Sequence, residues 1–276
     1  MTGPDVLAPL LMPGPDSPWS RVRQAMAWHG HVVVYADWRD WLPAAVADPQ
    51  LRPLLGPRDW QRLHALSDPE ARDRFAASRL LMKYTAGAAL QSPPDAVELA
   101  SKAGGRPYLR GYDQIEVSLS HTRDLLVVGL NRRGRIGVDT ELADRRIQYS
   151  AVQRHLCTPA ERRWLADLAP DERQRALVRT WTLKEAYTKA LGQGMRLGFT
   201  QFGFDPGHTT LLTPKGDRAS HGEWSFATFG LADGYLVGVA CHDAGLTGLE
   251  GEGDTAVSTM LDEGFLSEVI DLVGRM

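Results

Sequence analysis

Three carboxylates and an ammonium group are spaced in this sequence as a site for a metal ion and a phosphate would need them. Asp139 and Glu141 stand two apart in the run Ile136-Gly137-Val138-Asp139-Thr140-Glu141, which has the composition of a strand. Successive side chains of a strand point to opposite faces, so the two acids share one side while Thr140 takes the other. Carboxylates so placed repel each other unless they share a cation. A hard divalent ion such as Mg²⁺ suits oxygen ligands and keeps positions for water and phosphate. On the D-x-E pair alone, an edge strand with two solvated acids is the plainer reading. The second cluster runs from Trp181 to Gly194 and contains Glu185 and Lys189. At i, i+4 these two would make a surface ion pair contributing only ~0.2–0.5 kcal/mol. Trp181 lies one turn before Glu185 on the same side, however, so this face is at least partly buried, where charges persist only with partners. Glu185 then completes a ligand set and Lys189 neutralises a phosphate.

Other chemistry-bearing residues are less specific. Arg72, Arg79 and Lys83 fall within a narrow stripe of one helix, opposite Ala77, Leu81, Tyr84 and Ala88, and a solvated charged face is the plain reading of that pattern. Cys157 and Cys241 lie far apart and lack C-x-x-C spacing, which predicts buried, reduced thiols. His121, just past a strand, is by itself a structural hydrogen-bonding residue.

The elements that must position these residues can be read from pattern. With 43% hydrophobic and 24% charged residues among 276, the composition is globular and excludes collagenous, disordered and coiled-coil classes. No apolar run approaches the ~20 residues of a membrane span, and no basic stretch precedes the short apolar segment at the N-terminus, so the cytoplasm is the default compartment. The first thirty residues, rich in Pro and Gly, predict an arm rather than a core element. A buried strand follows at 31–36, then two helical stretches. The second runs from Pro69 to about Leu90, with Ser67 and Glu70 at capping-box spacing. Residues 115–120 and 125–130 predict a hairpin, and 136–141 a third strand. Thr158 and Glu161 form another capping box, a long helix spans Pro170 to Leu191 and stops at Gly192, and strands at 223–229 and 235–240 follow. Each half thus reads strand, helices, hairpin, which suggests an internal duplication. A Gly-rich stretch from Gly245 to Gly253 leads to an amphipathic helix with Val257, Leu261, Phe265, Val269 and Leu272 on one side.

Gly137-Val138-Asp139-Thr140-Glu141, followed about forty residues later by Trp181-x-x-Lys184-Glu185-Ala186-x-x-Lys189-Ala190-x-Gly192-x-Gly194, resembles the paired signature of the Sfp-type 4′-phosphopantetheinyl transferases. Gly105-Arg106-Pro107 resembles the family's G-K-P segment, and Ser118-Leu119-Ser120-His121 its N-x-S-H segment, with Arg106 for the usual Lys and Ser118 for the usual Asn. The resemblance covers His31 to Cys241. It implies an α+β fold with pseudo-twofold symmetry, two similar halves each having a small antiparallel sheet and packed helices. The boundaries expected are an arm at 1–30, an N-terminal half at 31–133, a C-terminal half with the metal site at 134–244, and an acidic linker and helix at 245–276. It implies that Asp139, Glu141 and Glu185 bind Mg²⁺, or Mn²⁺, and that Lys189 and Lys184 lie near the pyrophosphate of coenzyme A. Arg106, Pro107, Ser120 and His121 would contact the adenosine 3′-phosphate end, helped by Arg79 and by Arg62, Arg72 or Lys83.

The implied reaction is transfer of 4′-phosphopantetheine from coenzyme A to a serine of an acyl or peptidyl carrier protein, releasing adenosine 3′,5′-bisphosphate. Asp139, Glu185 and Lys189 would be catalytic, and the serine proton would pass to Glu185 or to a metal-polarised water. A Mg²⁺-dependent nuclease also gathers strand acids with a Glu–Lys pair, but it needs a long basic track that is not evident here. A coenzyme A-binding module without catalysis has no need of three carboxylates. The expectation is therefore a monomer that engages carrier proteins and coenzyme A, with neither nucleic acid nor membrane as partner. Charge is segregated: residues 246–276 carry seven acids against Arg275, so the net −3 divides into −6 there and +3 in the preceding 245 residues. A mildly basic body suits a phosphate-rich substrate and an acidic carrier protein.

Overall fold

The computed structural model describes residues 6–42, 51–102, 105–193 and 196–245, and it corrects the expectation of an N-terminal arm. Strand β1 (Leu10–Leu11) pairs in parallel with β2 (His31–Asp37), Leu10 facing Val34. Helix α1 (Ser20–His29) buries Val22, Ala25 and Met26. Met12 is wholly buried, and its carbonyl accepts a hydrogen bond from the Trp41 indole at 2.9 Å. The prolines punctuate this segment without removing it from the core: Pro18 precedes α1, and Gly30 ends it in the left-handed conformation at φ 77°.

Helices α2 (Leu51–Leu55), α3 (Pro57–Ala65) and α4 (Pro69–Leu90) follow. The cap of α4 is Asp68, not Ser67: its carboxylate accepts from the Ala71 N–H at 3.0 Å. Pro69 fills the first helical position, so the residue directly before it must serve as cap. From Ala76 to Lys83 the helix is buried all round, including Arg79 and Lys83. The basic stripe is therefore no solvated face. A short hairpin, β3 (Leu99–Ser101) with β4 (Pro107–Leu109), leads to the expected hairpin of β5 (Glu116–Thr122) and β6 (Leu125–Asn131). The first sheet has the order β1-β2-β6-β5.

Strand β7 (Ile136–Leu142) opens the second sheet, and helices α5 (Tyr149–Leu156), α6 (Pro159–Ala166) and α7 (Pro170–Leu191) come after it. The capping box at Thr158 and Glu161 forms as expected, and Gly192 ends α7 at φ 71°. A small pair, β8 (Gly203–Phe204) and β9 (Leu211–Leu212), precedes β10 (Trp224–Gly230) and β11 (Tyr235–His242), and the second sheet has the order β10-β11-β7.

The β-branched run at β2 is buried on both faces, which is why its sequence does not alternate. Val32, Val34 and Ala36 pack with Leu80, Leu81 and Met82 of α4, while Val33 joins Val127, Ile136, Val138, Val237 and Val239 between the two sheets. Each of these Val, Leu, Ile and Met side chains contributes roughly 1.5–3 kcal/mol. A third cluster fixes α7, where Leu183, Ala186, Tyr187 and Ala190 pack on Phe202, Phe204, Trp224 and Phe226.

The described residues up to Asp243 form one compact unit. The predicted C-terminal helix and Gly194 of the signature lie outside the described residues. Among the described residues, no helix is long and apolar enough to cross a membrane.

Candidate active site

The first and second sheets meet at β5 and β7, joined by side-chain hydroxyls rather than a backbone ladder. Ser118, Ser120 and Thr122 occupy alternate positions of β5 and so project to one side. The Ser118 Oγ accepts from the Val138 N–H at 3.0 Å, the Ser120 hydroxyl donates to Asp139 Oδ1 at 2.9 Å, and the Thr122 hydroxyl donates to the Thr140 carbonyl at 2.6 Å.

Two glycines then bring α7 directly onto the second sheet. A Cβ at Gly137 would lie 1.8 Å from the Ala186 carbonyl oxygen and 2.5 Å from the Ala190 nitrogen. One at Gly238, the register partner of Asp139, would lie 3.0 Å from the Thr182 carbonyl oxygen. Only residues without side chains permit this backbone approach. It lets Glu185 and Lys189 of α7 reach the acids of β7.

Lys189 Nζ donates to Asp139 Oδ1 at 2.6 Å and to Ser120 Oγ at 3.0 Å. Asp139 is 6% exposed, while the Lys189 side chain keeps 30% of its surface open. Glu141 pairs with Arg145, whose guanidinium lies 4.8 Å from the centre of the Trp181 ring. Burial raises the pKa of Glu185, with the charge of Asp139 next, Lys189 opposing and Glu141 adding. Burial likewise raises Glu141, against the pull of Arg145 and with a further push from Asp139. The three carboxylates are thus close enough to resist one another's ionisation.

That donor set suits a divalent cation, because three oxygen acids that repel one another are what a hard ion relieves. Among the described residues, no three His, Cys, Asp or Glu side chains already surround one point. Instead Lys189 and Arg145 each sit on one of the acids. The fit is one of chemistry and proximity.

Several expected site residues lie elsewhere. Lys184 is completely buried, its ammonium bonded to Glu161 Oε2 at 2.6 Å and to the carbonyls of Leu156, Phe199 and Phe202 at 2.6–2.8 Å. An ammonium has three protons, so none is left for a pyrophosphate. Lys184 ties α7 to α6, and the expectation that it meets coenzyme A is corrected. Lys83 donates to the Val97 carbonyl at 2.6 Å and Arg72 to that of Leu66 at 2.8 Å, so both serve their own half. Arg79 and Arg62 gather round Phe75, at 4.7 and 5.5 Å from its ring, and Arg79 Nε is 3.3 Å from Asp59 Oδ2. This ion pair lacks hydrogen-bond geometry, since neither atom finds a hydrogen-bond partner.

Arg106 stands just before Pro107, the first residue of β4, and bonds Glu116 Oε2 at 2.5 Å and the Ala190 carbonyl at 2.9 Å. His121 has its pKa lowered by burial, then by Arg74 and Lys189. Sequence reasoning missed the partners Arg145, Glu116, Asp59, Arg74 and Glu161. Each is one more charged residue in a basic- or acid-rich stretch, and only Glu161 carried a signal, through its capping box.

Residues 135–240 match the sequence profile of the 4′-phosphopantetheinyl transferase superfamily. The chain is 29% identical to the 4′-phosphopantetheinyl transferase HetI of Nostoc over 57% of its length and 68% of that protein's. It is 24% identical to a phosphopantetheinyl transferase of Thraustochytrium over 72% of its length and 74% of that protein's. With the 4′-phosphopantetheinyl transferase of Bacillus subtilis it shares 23% identity over 50% of its length and 61% of that protein's. The profile takes in β7 with Asp139 and Glu141, all of α7, β10 and most of β11. Residues 135–240, which hold the acids of β7 and the whole of α7, are thus similar to the 4′-phosphopantetheinyl transferase superfamily.

Proposed function

We propose that this chain transfers the 4′-phosphopantetheine group of coenzyme A to a serine hydroxyl of an acyl or peptidyl carrier protein. The serine oxygen forms a bond to phosphorus, the pyrophosphate P–O bond breaks, and adenosine 3′,5′-bisphosphate leaves. The observation that carries this reading is the meeting of Ser120, Asp139 and Lys189 where β5, β7 and α7 converge, with Glu141 and Glu185 coupled to Asp139. The names of the relatives support it.

A divalent cation held by Asp139, Glu141 and Glu185 would supply charge neutralisation for the pyrophosphate. Lys189, with a partly open side chain, is placed to give a donor to the same phosphates. Glu185 is the base that takes the serine proton on a carboxylate oxygen, and its raised proton affinity suits that task. His121, whose pKa burial lowers, is assigned with Arg106 and Pro107 to the 3′-phosphate end. Arg106 already holds Glu116, which keeps its guanidinium group in place before the ligand arrives. We assign the two halves to an internal duplication. In each, a strand is followed by a 22-residue helix that begins at a proline and by a hairpin whose second strand pairs with the first strand of that half.

The test is to incubate the chain with apo carrier proteins of several kinds, coenzyme A and Mg²⁺, and to weigh the carrier. A mass gain of one phosphopantetheine on the carrier serine is expected. An unchanged mass with every carrier would overturn the reading.

A further inference from the structure

We propose that Arg145 is a built-in counter-ion of the acidic cluster, a positioning residue that holds Glu141 until a divalent cation displaces it. This rests on the reading of Asp139, Glu141 and Glu185 as the ligands of that cation. Arg145 lies in the turn just after β7, and its N–H donates to the Leu142 carbonyl at 3.0 Å. Its own carbonyl accepts from Gln174 Nε2 of α7 at 2.6 Å. Its guanidinium pairs with Glu141 while lying against the Trp181 ring. Backbone, carbonyl and side chain are thus each fixed, two of them by α7, which is more restraint than a surface arginine needs to find an acid.

The arrangement gives Arg145 two partners of different kinds. A cation arriving at Glu141 takes the carboxylate but leaves the aromatic face, so Arg145 keeps a place to rest when displaced. That face belongs to Trp181, one turn before Glu185, which gives the tryptophan of the signature a role in this chain. Lys189 makes the matching contact with Asp139. Two internal cations therefore offset two of the three gathered acids, and an entering ion must compete with them.

The test reads metal affinity rather than turnover. Mn²⁺ is titrated into the full chain with stoichiometric coenzyme A, and free Mn²⁺ is followed by electron paramagnetic resonance. Arg145→Ala is expected to bind Mn²⁺ about two- to fivefold more tightly than wild type, the competition a part-exposed ion pair offers. Arg145→Lys, which keeps the charge but not the planar group that lies on Trp181, is expected to fall between Arg145→Ala and wild type. Damage to the fold would weaken binding, the opposite direction. Unchanged or weaker binding in Arg145→Ala, with wild-type binding intact and lost in Asp139→Asn, overturns the counter-ion and leaves the ligand assignment standing. Mn²⁺ binding that survives both Asp139→Asn and Glu185→Gln overturns the ligand assignment and the counter-ion with it.

Discussion

Lys189 and Asp139 are fifty residues apart in the chain and 2.6 Å apart in the fold. The contact spans from α7 to β7, and Ser120 of β5 closes it from the other sheet. Three elements therefore converge on one carboxylate oxygen. What makes this convergence close is an absence of side chain: Gly137, two residues before Asp139, lets the backbone of α7 rest on β7.

Lys189→Ala should weaken coenzyme A binding by about 10- to 100-fold, the loss expected for one charge-assisted hydrogen bond to phosphate. The melting temperature should fall as well, because Asp139, 6% exposed and beside two further acids, loses its cation. Calorimetric titration with coenzyme A reads the first and a thermal melt the second. Unaltered coenzyme A affinity would remove Lys189 from the phosphate site.

Glu185→Gln should lower the rate of transfer by about 10²-fold or more, the contribution typical of a general base, and do so without loss of stability. Burial and the charges of Asp139 and Glu141 disfavour ionised Glu185 in the folded chain, so the neutral amide relieves repulsion. A purely structural Glu185 would give the reverse: a less stable protein with transfer intact. Single-turnover transfer and urea unfolding of the same variant distinguish the two.

Much of the site was legible because its residues sit on elements with strong local signals. Pro170 and Gly192 bound α7 where the sequence marks them, so the i, i+4 relation of Glu185 and Lys189 held. The alternation in β7 placed Asp139 and Glu141 together for the same reason. Spacing could not say which way a charge would turn once a helix is packed on several sides. Arg72, Arg79 and Lys83 share a stripe, yet Arg79 and Lys83 lie inside the first half and Arg72 caps the loop before its own helix. Lys184 is one residue from Glu185, and the 100° between them carries it into a different compartment. The N-terminal segment misled because prolines lower local propensity, whereas Met12, Val22 and Met26 are held by tertiary packing.

Lys184→Met should destabilise the fold by about 3–5 kcal/mol, the loss expected when one partner of a buried ion pair is removed. Glu161 would keep its bonds to the Thr158 and Phe204 N–H groups but lose the Lys184 ammonium. Adding Glu161→Gln should restore part of the loss, since the uncompensated charge goes with it. Denaturant unfolding of the two single variants and the double variant gives the coupling. A Lys184→Met protein as stable as wild type, yet unable to bind coenzyme A, would return Lys184 to the pyrophosphate.

His208 supplies a pH dependence distant from the acids. Its ring is buried against Trp164 and lies 2.9 Å from the Thr180 hydroxyl, and burial, followed by the charge of Arg179, lowers its pKa to about 4. Asp205 pulls the other way and only partly offsets them. The unfolded chain takes up the proton near pH 6.5 and the folded chain only near 4, so acid favours unfolding across that window. The contribution of neutral His208 is complete above about pH 6.5 and falls away as the pH drops toward 4, by up to about 3 kcal/mol. Asn tolerates the left-handed backbone that His208 adopts at φ 57° and does not titrate there. His208→Asn should therefore lose less stability than wild type between pH 7 and pH 5 in parallel urea titrations. Equal losses in the two proteins would mean that His208 is not the group taking up the proton.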